Sequence, residues 1–186
     1  MTRFLNRAAA AVIACGLLVP GALSAQHGLV SGGSYDPSVP TPRSVLGYEI
    51  GERFTPHHLM LRYVEAVANA SPRIKLDTVA YTFEGREVMM VTATSEANHA
   101  RLAEIRAGIQ RLADPRGASA AELQDAIRRT PAVVWLGHTV HGNEASGAEA
   151  ALALIYQLAA GQDEETRTIL DSLVVLIDPV QNPDGH

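Results

Sequence analysis

The sequence predicts an α/β fold: a mixed, mainly parallel central sheet with helices on both faces, truncated within these 186 residues. Three features predict it. Ala132-Val133-Val134-Trp135-Leu136 and Leu173-Val174-Val175-Leu176-Ile177 are continuous apolar runs, not alternating ones. Strands buried on both faces read this way, and they occur mainly in parallel sheets covered by helices. Between the runs, Ala148, Ala151, Leu152, Ile155 and Leu158 recur at the spacing of one helical face. Strand, helix and strand in that order make a right-handed crossover.

The elements before the crossover follow from local signals. Met1 to Arg7 carries Arg3 and Arg7, an apolar run spans Ala8 to Val19, Pro20-Gly21 breaks it, and Ala22-Leu23-Ser24-Ala25 supplies small residues. This is the pattern of a secretory signal peptide over residues 1–25, so the protein is expected to be secreted or periplasmic. The apolar run is too short for a spanning helix, which needs about 20 residues. Val12-Ile13-Ala14-Cys15 loosely resembles a lipoprotein box, which leaves lipid anchoring at Cys15 as a minor reading. If Cys15 leaves with the leader, the mature chain has no cysteine and no disulfide.

Residues 26–54 are rich in Gly, Ser and Pro and read as a linker or extended lead-in. Thr55-Pro56 is expected to start a helix carrying Leu59, Tyr63, Val67 and Ala70, which Ser71-Pro72 ends. Ile74 to Thr82 and Val88 to Thr94 read as strands joined through Glu84-Gly85-Arg86. Asn98 to Ala113 and Ser119 to Arg128 read as helices around Asp114-Pro115-Arg116-Gly117. Residues 55–186 are thus expected to form the first part of a catalytic domain.

Composition narrows the function classes. A 47% hydrophobic and 19% charged chain fits an ordinary soluble fold. Net charge is −5, or −7 once Arg3 and Arg7 are removed, with no Lys/Arg run. Neither nucleic acid nor, after leader cleavage, a membrane is expected as partner.

His141-Gly142-Asn143-Glu144 stands after the first buried strand and at the start of the crossover helix. Catalytic zinc commonly takes two His and one Glu and keeps a fourth position open for water. His141 and Glu144, three residues apart, make half of such a set. Glu144 also suits a helix N-terminus as a plain dipole-favoured acid. Position favours the site, because ligands in open α/β sheets bind outside the carboxyl ends of the strands. Asp178-Pro179-Val180-Gln181-Asn182-Pro183-Asp184-Gly185 leaves the other buried strand at the same edge, although its residue types alone describe a turn.

With these segments in hand, the chain resembles the zinc carboxypeptidases, the carboxypeptidase A-like metallopeptidases. The resemblance rests on Ser71-Pro72 before a strand, Glu84-Gly85-Arg86 at the hairpin, Gly137 with His141-Gly142-Asn143-Glu144, and Asn182-Pro183-Asp184-Gly185, in the family's order. It implies that His141 and Glu144 are the first two ligands of a Zn2+ cofactor and that Asn143 faces substrate. The implied reaction is amide hydrolysis at the C-terminus of a peptide or protein. The third histidine ligand, the carbonyl-polarising arginine, the groups for the terminal carboxylate and the general-base glutamate come later in the family. No catalytic acid or base is therefore assigned here, and this chain alone is expected to be inactive.

Among the remaining histidines, His57, His58 and His99 are expected to face solvent, and His27 lies in the lead-in. His138 makes His-x-x-His with His141 and is a lesser candidate for metal or substrate. Two other readings share the motif or the scaffold. Acylases of the aspartoacylase and succinylglutamate desuccinylase type carry His-Gly-x-Glu near the N-terminus and work in the cytosol. An exported binding domain that kept the scaffold and lost the metal would be no enzyme.

Overall fold

The structure is a computed structural model that describes residues 33–186; the expected leader, Cys15 and His27 lie outside them. Residues 33–54, read from sequence as a lead-in, pack onto the body. Tyr35 and Val39 are buried, Tyr35 pairs with Gly161, and its ring stacks on Tyr156 at 5.4 Å. A short helix α1 (Pro42–Leu46) follows, with the Thr41 hydroxyl accepting from the Ser44 N–H and proline at its start. Gly47, at φ 83°, ends it in the left-handed conformation that glycine adopts without strain.

Helix α2 (His57–Ala70) buries Met60, Tyr63, Val64 and Val67, the i, i+3, i+4, i+7 stripe of an amphipathic helix. It begins one residue later than the sequence suggested. Pro56 is its cap residue, and the Thr55 N–H instead donates to Glu149 at 2.9 Å. Strands β1 (Ile74–Tyr81) and β2 (Glu87–Ala93) form an antiparallel hairpin with an irregularity between Thr78 and Ala80.

The helix expected over 98–113 is two: α3 (Glu96–Ala100) and α4 (Leu102–Ala113), separated at Arg101. Asn98, within α3, ties this short helix to the end of the helix over Glu164–Ser172 by donating its amide to the Leu170 carbonyl at 3.2 Å and the Asp171 carbonyl at 3.0 Å. Helix α5 (Ala120–Arg129) starts with a capping box between Ser119 and Glu122. Strand β3 (Ala132–Gly137), helix α6 (Ala145–Ala160), helix α7 (Glu164–Ser172) and strand β4 (Leu173–Asp178) complete the order. Helix α7 was not foreseen, although Asp163 before Glu164 and Glu165 is a helix-start signal.

The four strands lie in the order β1-β2-β4-β3. The sheet is mixed as expected, with β3 and β4 parallel and the β1–β2 and β2–β4 pairings antiparallel. Its parallel share is smaller than the apolar runs implied, because the hairpin joins the sheet through β2 and β4. Register places Leu76, Val91, Ile177 and Leu136 in one row across the strands, and Ile74, Ala93, Val175 and Val134 in the next. These rows, apart from Val134, form the core with α2 and the buried side of α6. Each fully buried Ile or Val there stabilises the fold by about 1.5–3 kcal/mol relative to exposure.

Strand β4 is buried as its sequence predicts, but β3 is not. It lies at the sheet edge, with Val133 41% and Trp135 63% exposed. An apolar run is doubly buried only where both faces are covered. Here α2 and α6 pack with the face that carries Leu136.

Candidate metal centre

Strands β3 and β4 run parallel and end side by side, so the loops that leave them meet. Backbone bonds lock the two exits together: the His138 N–H donates to the Asp178 carbonyl at 2.9 Å, and the Gln181 N–H to the His138 carbonyl at 3.0 Å. Thr139 then takes φ 55°. That is a genuine outlier for a β-branched residue, and its buried hydroxyl makes no hydrogen bond. Strain of this kind clusters at functional sites.

From there the chain makes a tight turn, closed by the Glu144 N–H donating to the His141 carbonyl at 2.9 Å. Gly142 and Asn143 are its central residues, both favoured turn formers. The turn, not the first helical turn expected from sequence, brings the two side chains together, and Glu144 is the cap residue of α6. His141 Nδ1 lies 3.4 Å from Glu144 Oε2, with the side chains 74% and 66% exposed. Asn143 is also exposed.

One nitrogen and one carboxylate oxygen suit zinc. Bonds of about 2.1 Å closing that 3.4 Å edge subtend roughly 110° at the metal, near the tetrahedral angle. The pair therefore fits half a zinc site. Among the described residues no group of three or more His, Cys, Asp or Glu side chains gathers to complete one.

Three of the other described histidines, His138, His186 and His99, face backbone carbonyls. His138 Nδ1 lies 3.3 Å from the Asp178 carbonyl oxygen. His186 sits between two carbonyl oxygens, Gly142 at 3.1 Å from Nδ1 and Thr55 at 3.0 Å from Nε2, and its ring lies 4.5 Å from that of Phe54. His58 is exposed as expected, but His57 and His99 are not free in solvent. His99 Nε2 meets the Arg73 carbonyl at 3.0 Å. Both His57 nitrogens are shielded and lack a hydrogen bond of ordinary geometry, and burial lowers its pKa despite the Glu87 backbone beside it.

The second loop supports the first. Gly185 donates its N–H to the Asn182 carbonyl at 3.2 Å and to Asn182 Oδ1 at 3.1 Å. A Cβ on Gly142 would lie 1.9 Å from the Gly185 carbonyl carbon and 2.3 Å from the His186 nitrogen, so only glycine fits. Asp184 accepts from Thr82 Oγ1 at 2.6 Å, from Arg86 Nη1 at 2.8 Å and from the Glu84 N–H at 3.3 Å. The Thr82 hydroxyl first, and Arg86 with it, holds the Asp184 carboxyl below its usual pKa. Sequence reasoning gave Thr82, Arg86 and Asp184 no role. The opposite charges of Arg86 and Asp184 in two separate motifs were the available signal. Asp178, buried at the end of β4, has its pKa pushed up by desolvation, and its Oδ1 makes no hydrogen bond.

Carboxypeptidase 2 of Trichophyton tonsurans and of Trichophyton equinum are each 44% identical to this chain over 52 residues. That stretch is 28% of this chain and 10% of theirs, so the match spans about a tenth of the curated relatives' length. Carboxypeptidase A from Helicoverpa armigera aligns over 72% of this chain and 25% of its own, at 19% identity and a TM-score of 0.48. Thrombin activatable fibrinolysis inhibitor aligns over 72% and 27%, at 12% identity and a TM-score of 0.48. The family described as zinc carboxypeptidase matches residues 60–186, from within α2 to the end of the second loop, and the chain belongs to that family.

Proposed function

We propose that the complete protein is an exported zinc metallocarboxypeptidase that hydrolyses the C-terminal peptide bond of peptides or proteins. The observation that carries this reading is the His141–Glu144 pair, 3.4 Å apart on an exposed turn at the carboxyl ends of two parallel strands. Family membership supports it independently. His141 would offer the Nδ1 lone pair of a neutral imidazole and Glu144 an ionised carboxylate. Asn143, exposed on the same turn, would hydrogen-bond the substrate's peptide groups through its amide. Zinc bound there would act as a Lewis acid toward the substrate carbonyl.

Two protein donors are one short of the three that catalytic zinc uses. The third ligand and the general base are proposed to come from outside residues 33–186. On this reading the isolated chain is inactive. Export rests on the charged, apolar and small-residue pattern of residues 1–25, and N-terminal sequencing of the secreted protein tests it.

The test of function is zinc content together with release of the C-terminal residue from N-blocked dipeptides by the full-length protein. His141→Ala should abolish both. Hydrolysis of N-acyl amino acids without peptide cleavage would indicate an acylase, and a zinc-free protein without either activity would indicate a binding domain.

A further inference from the structure

The β1–β2 turn and the loop after β4 are joined through one carboxylate. Asp184 receives the Thr82 hydroxyl, the Arg86 guanidinium and the Glu84 N–H, all from the same hairpin. The Thr82 hydroxyl also accepts from the Arg86 N–H at 3.0 Å, so two of the three donor residues are braced against each other. From Asp184 the chain has little freedom before it meets the metal-pair turn. Pro183 on one side is buried, and Gly185 on the other leaves no room for even a methyl group on Gly142. The His186 ring then reaches the Gly142 carbonyl. Gly142 is the residue after His141 and two before Glu144, so a shift of Asp184 passes directly into the spacing of the two donors.

We propose that Asp184, anchored by Arg86 and Thr82, is a positioning residue for the His141–Glu144 turn. It sets the donor separation through the Gly142–Gly185 contact. This claim rests on the zinc reading above. A simple fold staple is the rival role, and exposure separates the two. The Arg86 and Asp184 side chains are 40% and 24% exposed, and ion pairs open to solvent contribute little to folding. Losing this one should therefore be felt in metal affinity far more than in global stability. Partners that orient metal ligands typically change affinity by about 10–100-fold when removed.

The experiment uses the full-length protein and its Asp184→Asn, Arg86→Gln and doubly substituted forms, with His141→Ala alongside. Zinc affinity is read by chelator competition, site geometry by the visible spectrum of the Co2+ form, and folding by thermal unfolding. Asp184→Asn and Arg86→Gln should each weaken zinc by about tenfold or more and shift the Co2+ bands. The double variant should be no worse than the weaker single, because both act through one contact. Zinc affinity in Asp184→Asn within about twofold of the parent, well short of the range for ligand-orienting partners, overturns the proposal. Should Asp184→Asn fail to fold, Thr82→Val removes one of the three bonds, and unchanged zinc affinity there overturns it equally. If the parent protein binds no zinc, the functional reading fails and takes this claim with it. If only His141→Ala loses zinc, the functional reading stands and the positioning role fails alone.

Discussion

His186 and Gly142 are joined twice: the imidazole Nδ1 lies 3.1 Å from the Gly142 carbonyl oxygen, and the His186 backbone nitrogen fills the space a Gly142 side chain would need. The loop after β4 thus grips the His141–Glu144 turn at its one residue without a side chain.

Gly142→Ala should therefore be costly. Its methyl would meet backbone, which cannot swing aside as a flexible side chain can. Overpacking of this kind costs about 1–3 kcal/mol. Urea unfolding reads the loss, and a variant as stable as its parent would show that the two loops separate freely.

His138→Ala should leave zinc binding intact where His141→Ala abolishes it. The His138 ring nitrogen already faces the Asp178 carbonyl, whereas His141 Nδ1 faces Glu144. Metal analysis of both variants decides the assignment. Zinc lost from the His138 variant and kept in the His141 variant would reverse it.

The strand register makes a stability prediction. Ile177 is fully buried in the row with Leu76, Val91 and Leu136, so Ile177→Ala should cost about 2–5 kcal/mol. Val133 lies on β3 with 41% of its surface exposed, and Val133→Ala should stay within about 0.5 kcal/mol of the parent. Equal costs in denaturant unfolding would mean that β3 is paired or faced differently.

Acid should loosen the hairpin from the second loop. The folded pKa of Asp184 lies below its ordinary value of 3.8, chiefly through the Thr82 hydroxyl. A depressed carboxylate contributes stability that is complete above the ordinary value and lost as pH falls through the lowered one. Asp178 acts in the opposite sense. Burial raises its pKa, so its charge disfavours the fold as pH rises from 3.8 through the raised value. Unfolding midpoints against pH should show the acid-side loss shrink in Asp184→Asn. In Asp178→Asn the opposing slope should vanish, and unchanged profiles would refute both assignments.

The mixed sheet, the crossover helix and the meeting of the two loops were legible in sequence, because apolar runs and turn residues report burial and chain reversal directly. The exposure of β3 was not legible. Ala132 to Leu136 records what the strand can bury and is silent on which neighbour covers Val133 and Trp135. The closeness of His141 and Glu144 follows from their spacing, yet a tight turn joins them where the spacing suggests the first turn of a helix. The Asp184 anchor escaped because Thr82 and Arg86 lie about 100 residues earlier in the chain, and pairing over that distance leaves no local periodicity.

Trp135 is the only tryptophan in the chain, and it stands on the open side of β3. Within residues 1–186 it is therefore a single tryptophan probe on the edge strand beside β4, only a few residues before His141. Its emission reports the polarity around that edge without any label. Whatever comes to lie over β3, within the same polypeptide or from another molecule, will announce itself as a blue shift from one known position.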